Sequence, residues 1–165
     1  MKKLEYYVGI DLGTTNTTVS IAYMSPTGKL HAETLDIGQV DEYGNFIEEK
    51  LLPSVLYIDE NSVPYVGRYA KKMARMEPQF TASKAKRYIG EDKKYRWKMA
   101  NGQYFTPLEV SSFYLKAAKN AVEKRFLNQK IDGAVITIPA NFNFQQQGAT
   151  REAAVLAGFD RNKII

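Results

Sequence analysis

The chain has 165 residues, 44% of them hydrophobic, 12% aromatic and 25% charged, which suits one compact unit with its own core and excludes a disordered chain. It has no cysteine and a single histidine, His31, so disulfides, thiolate chemistry and Cys/His metal sites are excluded and a reducing cytoplasm is comfortable. The net charge of +5 gathers in residues 71–75 and 84–98, where basic residues alternate with apolar ones, so it reads as solvated helix faces and no nucleic-acid partner is expected.

In chain order, the opening "MKKLEYYVGID" has no apolar signal region, and no run approaches the roughly 18 apolar residues of a membrane span. A cytoplasmic protein without membrane contact is expected. Residues 6–12 and 17–24 read as strands joined by a glycine-bearing turn, and "SPTGK" turns the chain into a third strand over about 30–37, giving an antiparallel meander. Residues 38–50, "GQVDEYGNFIEEK", are polar with two glycines and read as a loop. "PSVLYI" and "VPYVG" form a hairpin around residues 59–62, and a helix follows over 68–76, stopping before Pro78 because the residue preceding a proline is pushed out of the helical region.

Thr106, Pro107 and Glu109 carry the signature of a capping box with proline at the first helical position, so a helix starts there. Leu108, Leu115, Ala118 and Val122 recur at helical spacing through about Phe126 and bury one face. "GAVITIP", 133–139, is a β-branched apolar run that suits a buried strand. Asn143 with Gln146 opens another helix, and Gly158 stands where a helix ends in the left-handed conformation. The order predicts an α/β fold with a mixed sheet flanked by helices.

The stretch with chemistry is "GIDLGTTNTT", residues 9–18. A turn at Gly13 can approach an anion with bare backbone, and Thr14 and Thr15 add hydroxyl donors. Asp11, at the strand end, suits a hydrated Mg²⁺ held between its carboxylate and phosphate. The string is not a P-loop, since no G-x-x-x-x-G-K-[ST] occurs and the turn joins two strands. "GT" or "TT" alone is more often a plain polar turn.

"GIDLGTTNTT" resembles the first phosphate loop of the 70-kDa heat-shock chaperones of the DnaK type, within the actin and sugar-kinase ATPase superfamily. "LLPSVLYI", "VGRYAKK", "AKRYIG", "GAVITIPANFN" and "REAAVLAGFDRNKII" follow in the chaperone order, so the resemblance runs across nearly the whole chain, weakest at 38–50 and 91–103. It implies an actin-like (ribonuclease H-like) first lobe spanning 1–165, with a five-stranded mixed sheet and a small, trimmed peripheral subdomain over roughly 38–105. It further implies that Asp11 holds Mg²⁺ through water, that Gly13, Thr14, Thr15 and Asn16 surround the β- and γ-phosphates of ATP or ADP, and that Lys86 is the catalytic lysine at the γ-phosphate. By the same resemblance Pro139 and Arg151 couple nucleotide state to a neighbouring domain; on sequence alone Pro139 reads equally as a strand terminator, and Lys86 as one of several surface lysines.

Implied partners are the rest of the ATPase domain and, in the parent protein, unfolded peptide clients, a J-domain cochaperone and a nucleotide exchange factor. Departures stand beside the matches: Leu51 and Leu52 replace two threonines, "EDKKYRW" replaces a basic-aromatic extension, the segment between Gly90 and Thr106 is short, and Phe144 and Gln147 stand where an acid and an arginine are common. The chain stops before the family's catalytic glutamate and second phosphate loop, so an excised lobe, inactive by itself, is the expectation. The alternative is a lobe of a non-chaperone actin-like ATPase: a polymer-forming protein, a reactivating factor or a sugar kinase.

Overall fold

The computed structural model describes residues 5–127 and 131–165; the early lysines Lys2 and Lys3 lie outside the described residues. In β1 (Tyr6–Leu12) the side chains of Tyr6, Val8, Ile10 and Leu12 are buried while Tyr7, Gly9 and Asp11 face outward, the period of two of a half-buried strand. β2 (Asn16–Met24) pairs antiparallel with it, Leu12 opposite Thr17, so the chain reverses within residues 13–16. β3 (Leu30–Thr34) completes the meander after a turn in which Gly28 takes φ 82°. This third strand is shorter than the sequence suggests. Leu35 buries its side chain and its amide still reaches Val19 O at 2.9 Å, but the chain then leaves the sheet.

Residues 38–50 are not a simple loop. β4 (Ile37–Val40) and β5 (Phe46–Glu49) form a hairpin, with Ile37 opposite Glu49 and Val40 opposite Phe46. Its turn is closed by Asp41, whose Oδ1 accepts the amides of Tyr43 (2.9 Å) and Asn45 (2.8 Å), with Gly44 at φ 90°. The apolar alternation is broken because an amide occupies an inward slot. Gln39 is 4% exposed; its Nε2 donates to Leu51 O at 3.0 Å and its Oε1 accepts the Arg68 amide at 3.0 Å.

β6 (Leu52–Pro53) adds to the start of β2, Asn16 opposite Pro53 and Thr17 opposite Leu52. β7 (Val55–Ile58) is buried along its length and is flanked by β8 (Pro64–Val66), which closes the expected hairpin, and by β9 (Thr81–Ser83). Between these run α1 (Arg68–Met76), bounded as expected, and after them a one-turn helix, α2 (Ala85–Tyr88), and the short pair β10 (Trp97–Lys98) and β11 (Tyr104–Phe105).

α3 (Pro107–Phe126) begins with the complete capping box: Thr106 Oγ1 accepts the Glu109 amide at 3.2 Å, and Glu109 Oε2 accepts the Thr106 amide at 2.8 Å. Its buried face carries Val110, Tyr114, Leu115, Ala118 and Val122, and full burial of each large apolar side chain contributes about 1.5–3 kcal/mol. β12 (Gly133–Ile136) then lies parallel to β1, Tyr7 opposite Gly133 and Ile10 opposite Ile136. The strand ends sooner than the apolar run to residue 139. Thr137 still donates its amide to Ile10 O at 2.9 Å, whereas Pro139 has no N–H with which to extend the ladder. α4 (Phe144–Leu156) opens with the Asn143–Gln146 capping box, and the chain past its end passes through Gly158 at φ 98°.

The main sheet runs β12–β1–β2–β3, with β6 also on β2: five strands, parallel at β12–β1 and antiparallel elsewhere. α3 packs on β1 and β2, and α4 packs on α3. A smaller cluster of Val55, Tyr57, Ala70 and Met73 joins β7 to α1, while Leu56 and Ile58 belong to the main core. One strand therefore serves two cores.

Candidate functional site

The β1–β2 turn is tight at Gly13. A Cβ built on Gly13 would lie 2.0 Å from Asn16 O, so only glycine fits. Thr15 is exposed, and Thr14 and Asn16 are half-buried. From behind, Ser54 grips the turn: its amide donates to Thr15 O at 2.8 Å and its Oγ to Gly13 O at 2.9 Å, while Thr17 Oγ1 lies 3.0 Å from the same hydroxyl.

Asp11, one residue pair inside the turn, faces outward on β1. Parallel pairing of β12 with β1 brings Thr137 beside it, and Thr137 Oγ1 donates to Asp11 Oδ1 at 2.7 Å. Lys86 arrives from α2, which is set in place by the left-handed Lys84 (φ 58°), the buried Ala85 and the Tyr114 hydroxyl on Ala82 O at 3.3 Å. The Lys86 Nζ donates to Thr137 O at 3.4 Å. Burial draws its ammonium below the usual lysine range, with the Asp11 carboxylate opposing that shift. A cation partly stripped of water beside a carboxylate can meet a further anion.

Among the described residues no group of three or more histidine, aspartate or glutamate side chains could hold a metal. A divalent cation at Asp11 would take its remaining oxygens from water and from a bound ligand, which suits Mg²⁺. The residues present fit a phosphate and its cation.

Beside the turn lies a groove of about 260 Å³ lined by Asn16, Leu51, Pro53, Arg68, Lys71 and Arg75 among others. Its Arg68 is engaged, with Nε on Glu42 at 3.0 Å and Nη1 on Glu49 at 2.8 Å. Those pairs tie the β4–β5 hairpin to α1.

Pro139 and Arg151 have contacts of their own. Pro139 lies two residues beyond Thr137, and its carbonyl accepts the Phe142 amide at 3.0 Å where the chain enters α4. Arg151 Nη2 donates to Ile164 O at 2.8 Å along a groove of about 320 Å³ that includes Ile136, Ile138, Phe144 and Gln147. Phe144 is 89% exposed.

The geometry thus gathers Asp11, Lys86 and the 13–16 turn, and adds two residues that sequence reasoning did not single out, Thr137 and Ser54. Both stand in stretches with visible patterns, "VITIP" and "LPSV", but a hydroxyl inside a strand-like run reads as strand.

The family model described as Hsp70 protein matches residues 7–165. The chain is 38% identical over 164 residues to the chaperone protein DnaK of Thermotoga petrophila and to that of Thermotoga maritima, in each case 99% of this chain and 25% of the relative. It is 35% identical over 159 residues to the chaperone protein DnaK of Thermoplasma acidophilum, 96% of this chain and 24% of that protein. The chain spans about a quarter of the length of the curated relatives it matches. No described helix is long and apolar enough to cross a membrane. With the sequence matched from the first strand to the last residue, and with the glycine turn, Asp11 and Lys86 within that match, the chain belongs to the Hsp70 family.

Proposed function

We propose that this chain is an actin-like (ribonuclease H-like) lobe of a DnaK-type chaperone ATPase, which holds the phosphates of MgATP for hydrolysis coupled to conformational change. The observation that carries the reading is the meeting of Asp11 and Lys86 on Thr137 beside a turn that admits only glycine at residue 13. In this reading Gly13, Thr14, Thr15 and Asn16 surround the β- and γ-phosphates, Asp11 orients the water shell of Mg²⁺, and Lys86 neutralises charge at the γ-phosphate and places the attacking water. Bound MgATP supplies the scissile anhydride and the countercharge of the cation. The chain's residues contribute position and electrostatics, which dominate phosphoryl transfer.

Residues 38–105 form the small peripheral subdomain in this reading, and Pro139 and Arg151 relay the state of the site towards a neighbouring domain. The remainder of the ATPase domain supplies the base and ribose contacts; unfolded peptides, a J-domain cochaperone and a nucleotide exchange factor are the partners, in the cytoplasm. The 165-residue chain alone is expected to be inactive and to bind MgADP at millimolar strength, about −4 kcal/mol, because only phosphate contacts are offered.

The test is Lys86→Ala in the full-length ATPase. Hydrolysis should fall by about 10²–10⁴, with MgADP affinity within roughly threefold of wild type, since the lysine acts at the γ-phosphate. An equal loss of ADP affinity would sink the assignment.

A further inference from the structure

A turn that accepts phosphate must do two things: present amide hydrogens and keep its carbonyl oxygens, which repel an anion, out of the way. In the 13–16 turn the second task falls to one residue. Gly13 O and Thr15 O are both drawn onto Ser54, the first by its hydroxyl at 2.9 Å and the second by its amide at 2.8 Å. No cis peptide occurs among the described residues, so within each peptide plane the amide hydrogens of Thr14 and Asn16 point in the opposite direction from these two oxygens.

We propose that Ser54 is a positioning residue for phosphate binding, a role that rests on the reading of the turn given above. The hydroxyl bookkeeping fixes the direction of the network. A serine hydroxyl has one proton, and Ser54 Oγ gives it to Gly13 O, so at 3.0 Å it accepts from Thr17 Oγ1. Thr17 is fully buried and Ser54 is 2% exposed, so water cannot replace either partner. Ser54 is itself anchored on both sides, by the β6 pairing of Leu52 and Pro53 with β2 and by the insertion of β7 between two cores. The turn is thereby held with its oxygens retracted before any anion arrives.

Removing the Ser54 hydroxyl frees Gly13 O to swing towards the ligand side and leaves Thr17 Oγ1 without its acceptor. Weaker phosphate binding therefore precedes any general loss of fold. A packing role and a positioning role separate at Thr17: Thr17→Ser keeps the donor and loses a methyl, whereas Thr17→Val keeps the shape and loses the donor.

The experiment is an NMR titration of the 165-residue chain and its variants with magnesium pyrophosphate, following the amides of Thr14 and Asn16, alongside thermal melting. Wild type should shift these amides with a millimolar dissociation constant. Ser54→Ala should weaken binding by about tenfold, Thr17→Val by about threefold to tenfold, and Thr17→Ser by less than twofold despite a lower melting point. Should Ser54→Ala fail to fold, the Thr17 pair decides alone. Wild-type affinity in Ser54→Ala or in Thr17→Val, with only the melting point reduced, overturns the positioning role and leaves the phosphate reading standing. Wild-type amides that do not respond to pyrophosphate overturn both.

Discussion

Two tight turns of this molecule have an aspartate on the incoming side and an asparagine at the end, and they treat that acid in opposite ways. In the β4–β5 hairpin, Asp41 folds back over its own turn and accepts the amides of Tyr43 and Asn45. The anion is built in. In the β1–β2 turn, Asp11 points away to Thr137, and among the described residues no side chain caps the amides of Thr14, Thr15 or Asn16. There the protein draws the Gly13 and Thr15 carbonyls onto Ser54 and leaves the donors for something outside. A turn that completes its own hydrogen bonding is structural; one that satisfies only its acceptors is prepared for an anion.

Glycine substitutions give the largest expected contrast between the two turns. Gly13→Ala forces a Cβ within 2.0 Å of Asn16 O and should cost about 3 kcal/mol or more, with loss of pyrophosphate binding. Gly44→Ala meets open space at φ 90° and should cost only about 1–2 kcal/mol, the strain of the left-handed region, with binding intact. Urea denaturation with the same titration measures both. Equal costs would show that the 13–16 backbone relaxes easily.

Next in size is the exchange of the two acids. Asp11→Asn keeps an acceptor for Thr137 and should leave stability within about 0.5 kcal/mol while abolishing the magnesium dependence of pyrophosphate binding. Asp41→Ala uncaps its hairpin and should lower the melting point by a few degrees without touching that dependence. If Asp41→Ala weakened binding as much as Asp11→Asn, the hairpin would belong to the site.

The smallest effect is in acid. The Asp41 carboxyl is held below the usual carboxylate range, chiefly by the Asn45 amide, and the Glu42 carboxyl likewise, chiefly by its hydrogen bond from Arg68. Folded values below the unfolded ones mean that this contribution is complete above about pH 4 and is lost as pH falls from there through the depressed folded values. The hairpin amides should therefore lose protection from about pH 4 downward, before the β1–β2 ladder does. Hydrogen exchange at stepped pH reads this directly, and simultaneous loss in both regions would contradict it.

Much of this was legible from the residues. The strict alternation from Tyr6 to Leu12, the paired capping boxes at Thr106 and Asn143, and the β-branched run at 133–136 each fix an element by local chemistry that tertiary packing does not override. Asp11 stands out in the glycine-turn string itself, whereas Lys86 is singled out only by the family resemblance, since neither spacing nor composition links residues 75 positions apart. The β4–β5 hairpin escaped because the inward Gln39 is satisfied by Leu51 O and the Arg68 amide, contacts that exist only after folding. The Asp41 to Asn45 turn chemistry was the available signal. α2 is too short to show a period, and Ser54 works through backbone atoms of a distant turn, which no pattern along the chain reveals.

The burial of β7 between two clusters has a kinetic consequence. Ser54 is the residue before that strand, so its amide cannot exchange by fraying of an edge; the small cluster around Met73 and the main core around Leu115 must part first. The Ser54 amide should thus sit among the slowest-exchanging hydrogens of the chain, while amides across the tip of the neighbouring hairpin exchange through local opening. The hairpin joins the body at Leu51 through the Gln39 amide, and at α1 through Arg68 on Glu42 and Glu49 and Lys72 on the Glu42 carbonyl. The tip is thus held by side-chain contacts at the surface, where water competes, while the slow-exchanging anchor beneath the glycine turn is held by both cores.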